Sequence, residues 1–506
     1  MILENGLVRT LDPQVPTQRA LAIAGEWVAG GVGVHETALA SPDVVDLGGR
    51  VVVPGLSDAH VHFPTWALAQ TEVALDTCTS LAEALGRIAA ADVPAGRWLR
   101  GYGWRSGDWS EGRDPTREDL DALTGDRPAA FIARDYHSLW LNSAALAHAN
   151  GDLEVAGGVV ERDANGEPTG VLREEAAWRF KERYMVVPDD QYLEAMRHGI
   201  ALANARGVTA VHDKDGWLGA LRLWQQLDER GALTLRVWQS IPADQLDAVA
   251  GAGLRSGLGS PMLRLGYLKV FMDGTLGSQT AWMLDGSGVM ITNGEELADI
   301  VRRGAAAGWP VAVHAIGDRA NREALDAFEQ TRAEWEPRGL RQRIEHTQLL
   351  APEDISRFAE IGVVCSVQFS HAPSDRDLAD RFWAGRTDGA YAYRSLLESG
   401  ALVANGSDAP IEELDPLAGI RAGVRRTIDG RGAWHPEQCL TVDQAFHATC
   451  VAPCLLARDE RRRGTLVPGR YADLVVLDRD PWKDLDAEVV ATMVGGRWVH
   501  NPPPWD

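Results

Sequence analysis

Five stretches of the chain carry side chains able to hold a cation, each in or at the end of an apolar run. His60 and His62 close VVVPGLSDAHVH. Residues two apart in a strand point the same way, so both imidazoles can face one ion from one wall. An isolated HVH also fits an ordinary turn. Lys269 stands inside the apolar run YLKVFM, and burying an ammonium favours the neutral amine. A neutral amine can add carbon dioxide to give a carbamate whose two oxygens bridge two metals; an ion pair with Asp273 or Asp408 is the alternative. His314 in VAVHAIGDRA, His346 in RIEHTQ and Asp408 in NGSDAP complete the series. One such histidine usually is a satisfied core residue. Three strand-end groups following an upstream HVH point instead to a shared metal.

These side chains are scattered over most of the sequence, so a repetitive frame must bring them together. Eight apolar runs of strand length recur: VVVPGL (51–56), GVTAVH (207–212), TLRVWQSI (234–241), LGYLKVFM (265–272), PVAVHAI (310–316), RIEHTQ (343–348), GVVCSVQ (362–368) and ALVANGSD (401–408). Several are separated by helix-like segments such as NGEELADIVRRGAAAG and APEDISRFAEIG, where apolar positions return at helical spacing behind a capping residue. Eight alternating units predict an α/β fold, a (β/α)8 TIM-type barrel over 51–63 plus 191–459. His60, His62, His212, Lys269, His314, His346 and Asp408 then fall at or near the strand ends, the face on which such barrels place their active sites.

Residues 1–50 and 460–506 read as short alternating strands, predicted to form one small β-sandwich from both chain ends. Residues 64–190 are too long for a strand-to-helix loop and read as an inserted subdomain after the first barrel strand, hanging over the barrel mouth. Substrate contacts are expected from Trp104 and His137 in that insertion, from His212, and from Gln368 and His371 after the seventh strand. Asp318 reads as positioning His314 or the helix that follows.

Composition narrows the partners. The 506 residues carry a formal net charge of -22, which would repel nucleic acid and anionic membranes. The run Arg461–Arg463 reads as a solvated face. The start MILENGLVRTLD has no export-signal pattern, and no apolar stretch is long enough to span a bilayer. Five cysteines without paired spacing fit a reducing, cytoplasmic setting, with Cys450 and Cys454 as buried thiols. The eighteen tryptophans tilt the expectation toward a small-molecule substrate with an aromatic or apolar group. A homodimer is compatible with everything above.

The motifs VVVPGLSDAHVH, KVFMDGTLGSQTA, VHAIGDRA, IEHTQ, GSDAP and GTLVPGRYADLVVLD together resemble the amidohydrolase superfamily, specifically its YtcJ-like branch, which includes N-substituted formamide deformylases. The resemblance spans nearly the whole chain. It implies a metal site of His60, His62, Lys269 as the carbamate, His314, His346 and Asp408, with one or two divalent ions, zinc foremost, and carbon dioxide consumed if there are two. It further implies hydrolysis of an amide-like C–N bond (amide, formamide, carbamate or cyclic amide), Asp408 acting as general base and then acid, and His137 reaching the pocket. Gln368 is followed by Phe369 where the family commonly has proline, which alters that wall. The same metal site acting on an ester, a lactone or an aromatic C–N bond, as in a deaminase, is the alternative. A catalytically inactive binding or scaffold protein is disfavoured by the complete ligand set.

Overall fold

The computed structural model describes residues 1–31, 43–94, 96–134, 136, 138–216 and 219–505. Its centre is an eight-stranded, all-parallel sheet whose strands follow one another in chain order: β1 (Leu56–Val61), β2 (Val208–Asp213), β3 (Arg236–Pro242), β4 (Leu263–Phe271), β5 (Val311–Ala315), β6 (Arg343–His346), β7 (Val364–Val367) and β8 (Val403–Asn405). Backbone bonds from His62 N to Ala409 O (2.9 Å) and from Asp408 N to His60 O (2.7 Å) join β1 to the chain just beyond β8. The sheet thus comes round into a TIM-type barrel. Strands buried on both faces read as continuous apolar runs, which is why these segments were visible in the sequence.

One strand differs from its sequence reading. Val51–Pro54, taken with Leu56 as the first barrel strand, instead pairs with Leu7–Arg9 and Leu474–Leu477 in a sheet built from the two chain ends. The barrel begins one step later, at Leu56. Gly55 separates the two, and a Cβ there would lie 2.2 Å from Thr209 Oγ1 on β2. Only glycine lets the backbone pass so close.

The helix Gly294–Ala307 shows how a layer is set on the barrel. Asn293 and Glu296 cap its start reciprocally, and Gly308, at φ +83°, ends it. Its buried face, Leu297, Ala298, Val301 and Ala305, joins the cluster that includes Leu268, Val311 and Val313. Burying Leu297 and Val301 contributes roughly 1.5–3 kcal/mol each. The chain ends form a four-stranded and a six-stranded sheet, which share an apolar cluster containing Leu3, Leu21, Val45, Val52, Leu474, Val476 and Met493.

Residues 65–196 form a second compact unit. Its six-stranded sheet runs in the order Gly158–Arg162, Pro168–Glu174, Ser138–Leu141, Ala129–Ala133, Leu99–Trp104, Val73–Ala74. Trp104, Trp109 and Trp140 pack with Leu120, Phe131 and Val171 in its core. Among the described residues no helix is long and apolar enough to cross a membrane.

Candidate metal centre

Asp408 gathers the histidines. It lies just past β8 in the left-handed region at φ +59°, a conformation that costs a non-glycine residue energy and recurs at functional sites. Its Oδ1 lies 3.2 Å from His60 Nε2 and 3.5 Å from His62 Nε2, both at the end of β1. Its Oδ2 lies 3.8 Å from His346 Nδ1 and 3.9 Å from His371 Nε2. The His314 ring sits 4.5 Å from that of His346, which is 4.7 Å from that of His60. His346 and Thr347 also have positive φ, +73° and +49°. This ends the strand alternation of β6, so His346 faces Asp408 although Arg343 and Glu345 already point into the barrel.

Four of these rings are oriented by groups that accept a hydrogen bond. His60 Nδ1 donates to Glu345 Oε2 (2.8 Å), His62 Nδ1 to Asp215 Oδ1 (2.7 Å), His346 Nδ1 to Gln368 Oε1 (2.9 Å) and His314 Nε2 to the Gly274 carbonyl (3.1 Å). A neutral imidazole carries one N–H, so the other nitrogen of each ring presents a lone pair. This is the arrangement in which metal-ligating histidines are held. The nitrogens of His60 and His62 facing Asp408 then oppose carboxylate lone pairs, a repulsive juxtaposition that a cation between them would convert into coordination. His60 Nε2 and Lys269 Nζ are buried and have no hydrogen-bond partner among the described residues. The donor set of imidazole nitrogens and carboxylate suits a divalent transition metal, so residues and metal fit.

Electrostatics hold His314, His346 and Lys269 toward their ligating forms, whereas at His62 burial is outweighed by Asp215 and Asp408, which raise the imidazole above its ordinary value. Burial lowers His314 to about 3, assisted by Lys269, and takes His346 well below its ordinary value. Burial likewise lowers Lys269 on β4, against the pull of Glu345 and Asp408. Burial disfavours the Asp408 carboxylate; protonated His60, His346 and His62 would outweigh it and hold the group well below the usual carboxylate range, and with those rings neutral a cation among them takes that part.

Beneath the rings lies a charged network that the sequence reading did not anticipate. Glu345 Oε1 pairs with Arg343 Nε at 2.6 Å and with Lys214 Nζ at 3.1 Å, all three side chains fully buried. Burial opposes the Glu345 charge, but Arg343 and His60 overcome it and keep the carboxylate ionised. Asp58 accepts from the backbone N–H of His60 and Ser407, tying the two sides of the seam, and burial pushes it up to about 7. Asp273 accepts from the N–H groups of Trp282, Ile316 and Gly317 beneath His314. A carboxylate next to His346 inside an apolar strand was the available signal for Glu345; Asp215 and Lys214 follow β2 without one.

A model of the amidohydrolase family matches residues 43–500. The chain belongs to that family. YtcJ of Bacillus subtilis (strain 168) is 30% identical across 99% of this chain and 99% of its own length. The N-substituted formamide deformylase of Arthrobacter pascens is 28% identical across 95% of this chain and 94% of its own length. A solved structure of an uncharacterized metal-dependent hydrolase from Pyrococcus furiosus superposes with a TM-score of 0.80 at 28% identity, covering 95% of this chain and 99% of that one. This amidohydrolase is therefore a YtcJ-like, metal-dependent hydrolase.

The remaining sequence candidates of the amidohydrolase fall differently. Gln368 is buried and orients His346. His212, also buried, accepts from Arg343 Nη1 at 3.1 Å, so that edge of its ring is turned into the barrel interior. Trp104 packs in the core of the second unit, its indole N–H donating to the Phe131 carbonyl at 2.8 Å. Asp318 accepts from the Leu284 N–H rather than holding His314. His137 lies outside the described residues.

Proposed function

We propose that this amidohydrolase cleaves an amide-like C–N bond, with an N-substituted formamide or a related small amide as substrate. The observation that carries the reading is the convergence of the anchored His60, His62 and His346 imidazoles on Asp408, with the His314 ring 4.5 Å from that of His346. In this reading His60, His62, His314, His346 and Asp408 hold one or two divalent cations, zinc first among them, and Lys269 as its carbamate contributes the remaining oxygens. Its buried Nζ, with no hydrogen-bond partner among the described residues, supports the neutral amine that carbon dioxide requires. When bound, the metal makes a water acidic near neutral pH and polarises the acyl oxygen. Asp408 takes the proton from the attacking water and passes it to the departing nitrogen, so the carboxylate must start ionised, which a cation beside it would favour. Glu345 and Asp215 fix the tautomers of His60 and His62, and Gln368 that of His346.

The test is a substrate panel with zinc-loaded protein: formanilide, other N-substituted formamides, acetanilide and a cyclic amide, each with its matched ester. Amide turnover exceeding that of the ester supports the reading. Hydrolysis of esters alone would refute it.

A further inference from the structure

We propose that His371 is a catalytic hydrogen-bond donor, its Nε2–H holding the substrate's acyl oxygen as that oxygen gains negative charge. The role rests on the hydrolytic reading above. What sets His371 apart is the partner of its outer nitrogen. His60, His62, His314 and His346 each donate to an acceptor, two carboxylates, a carbonyl and an amide oxygen, leaving a lone pair on the other ring nitrogen, which in His60 and His62 faces Asp408. His371 Nδ1 instead meets the side-chain nitrogen of Gln348 at 3.1 Å. An amide nitrogen donates, so Nδ1 accepts and the ring's single proton resides on Nε2.

That Nε2 is buried, has no hydrogen-bond partner among the described residues, and stands 3.9 Å from Asp408 Oδ2. The separation exceeds hydrogen-bond length, so the N–H is not spent on Asp408. An oxygen within bonding distance of Nε2 can nonetheless lie beside the carboxylate that moves the proton. An N–H cannot coordinate a metal; its complement is an oxygen acquiring charge, and a donor fixed in advance stabilises that charge without reorganisation. The backbone that carries Gln348 is held in place: its main-chain carbonyl accepts from Tyr391 N at 2.6 Å, the Tyr391 hydroxyl donates to Asp375 Oδ2 at 2.6 Å, and Arg426 Nη1 donates to the Tyr391 carbonyl at 3.0 Å, while the Gln348 side-chain oxygen has no hydrogen-bond partner among the described residues. His371 N itself donates to the Gln368 carbonyl at 3.1 Å.

The experiment uses the full zinc-loaded chain labelled with 15N-histidine, the His371 resonances being those lost in His371→Asn. The expected spectrum has Nε2 protonated and Nδ1 unprotonated. In Gln348→Glu, whose carboxylate only accepts, the proton moves to Nδ1. With formanilide as probe, His371→Asn and Gln348→Glu each lose about 10²–10³-fold in kcat, the usual cost of one such donor. Zinc content stays at the wild-type level, with folding checked by circular dichroism. An unprotonated Nε2 in the wild type, or loss of zinc from folded His371→Asn, would make His371 a ligand and overturn the proposal. His371→Asn as active as an active wild type would overturn the role alone. A wild type inert on the whole panel would sink the hydrolytic reading and this role with it.

Discussion

Replacing Glu345 by glutamine tests whether the buried charges beneath the rings support both the barrel and the metal. Glu345 is the anion facing Arg343 at 2.6 Å and Lys214 at 3.1 Å. With an effective dielectric near 20, each pair is worth about 5–6 kcal/mol before desolvation. The amide keeps the shape but leaves two buried cations against an uncharged group, and breaking a buried pair in this way costs about 3–5 kcal/mol. The same substitution weakens the acceptor that fixes His60, which should lower zinc affinity by about 10–100-fold. Urea unfolding of the metal-free protein reads the first effect, and zinc competition against a chromophoric chelator reads the second. Asp215→Asn is the comparison for the second effect, because Asp215 orients the other ring of the HVH pair, accepting from His62 Nδ1 at 2.7 Å. It should lower zinc affinity to a similar degree. Adding Arg343→Met to Glu345→Gln should recover part of the lost stability by removing a stranded cation. Metal-free Glu345→Gln within 1 kcal/mol of wild type, or with unchanged zinc affinity, would refute this reasoning.

Asp408→Asn should leave the fold and most of the zinc in place while lowering kcat at least about 10²–10⁴-fold, the range of general acid–base catalysis; metal analysis beside steady-state kinetics checks it. Lys269→Met should abolish a carbamate resonance that appears when zinc-loaded wild type is prepared with 13C-bicarbonate. Removing the metal with a strong chelator should abolish hydrolysis, and zinc or cobalt should restore it. Arg236 on β3 forms a buried bidentate pair with Asp473 (2.8 and 2.9 Å) that ties the barrel to the chain-end sheets. Asp473→Asn should therefore cost about 3–5 kcal/mol in urea unfolding with kcat/KM unchanged at a permissive temperature.

The sequence announces the barrel because parallel strands covered on both faces must be apolar throughout, as in VAVHA of β5 and VCSV of β7. It misassigns Val51–Pro54 for the same reason: a strand in the chain-end sheet can be as apolar as a barrel strand, and only the Gly55–Thr209 approach separates them. HVH and the strand-end His314, His346 and Asp408 stand out because polar groups ending apolar runs are costly without a partner. The groups that orient them stand out less. Gln368 looked like a substrate contact because nothing in QFSH reveals that its carbonyl oxygen meets His346 Nδ1. Glu345 was hidden by its neighbour, since alternation would place it on the face opposite His346, and the left-handed backbone at His346 is not encoded by a glycine. Trp104 belongs to a core that only the fold of the second unit reveals.

The central claim is that His60, His62, Lys269, His314, His346 and Asp408 share one cation cluster. Anomalous diffraction at the zinc edge from crystals of the zinc-loaded protein measures it most directly. The expected result is a scattering peak with His60 Nε2 and His62 Nε2 at about 2.0–2.2 Å and Asp408 oxygen at similar range. Zinc bound at full occupancy elsewhere in the chain, with these side chains left without metal, would contradict it.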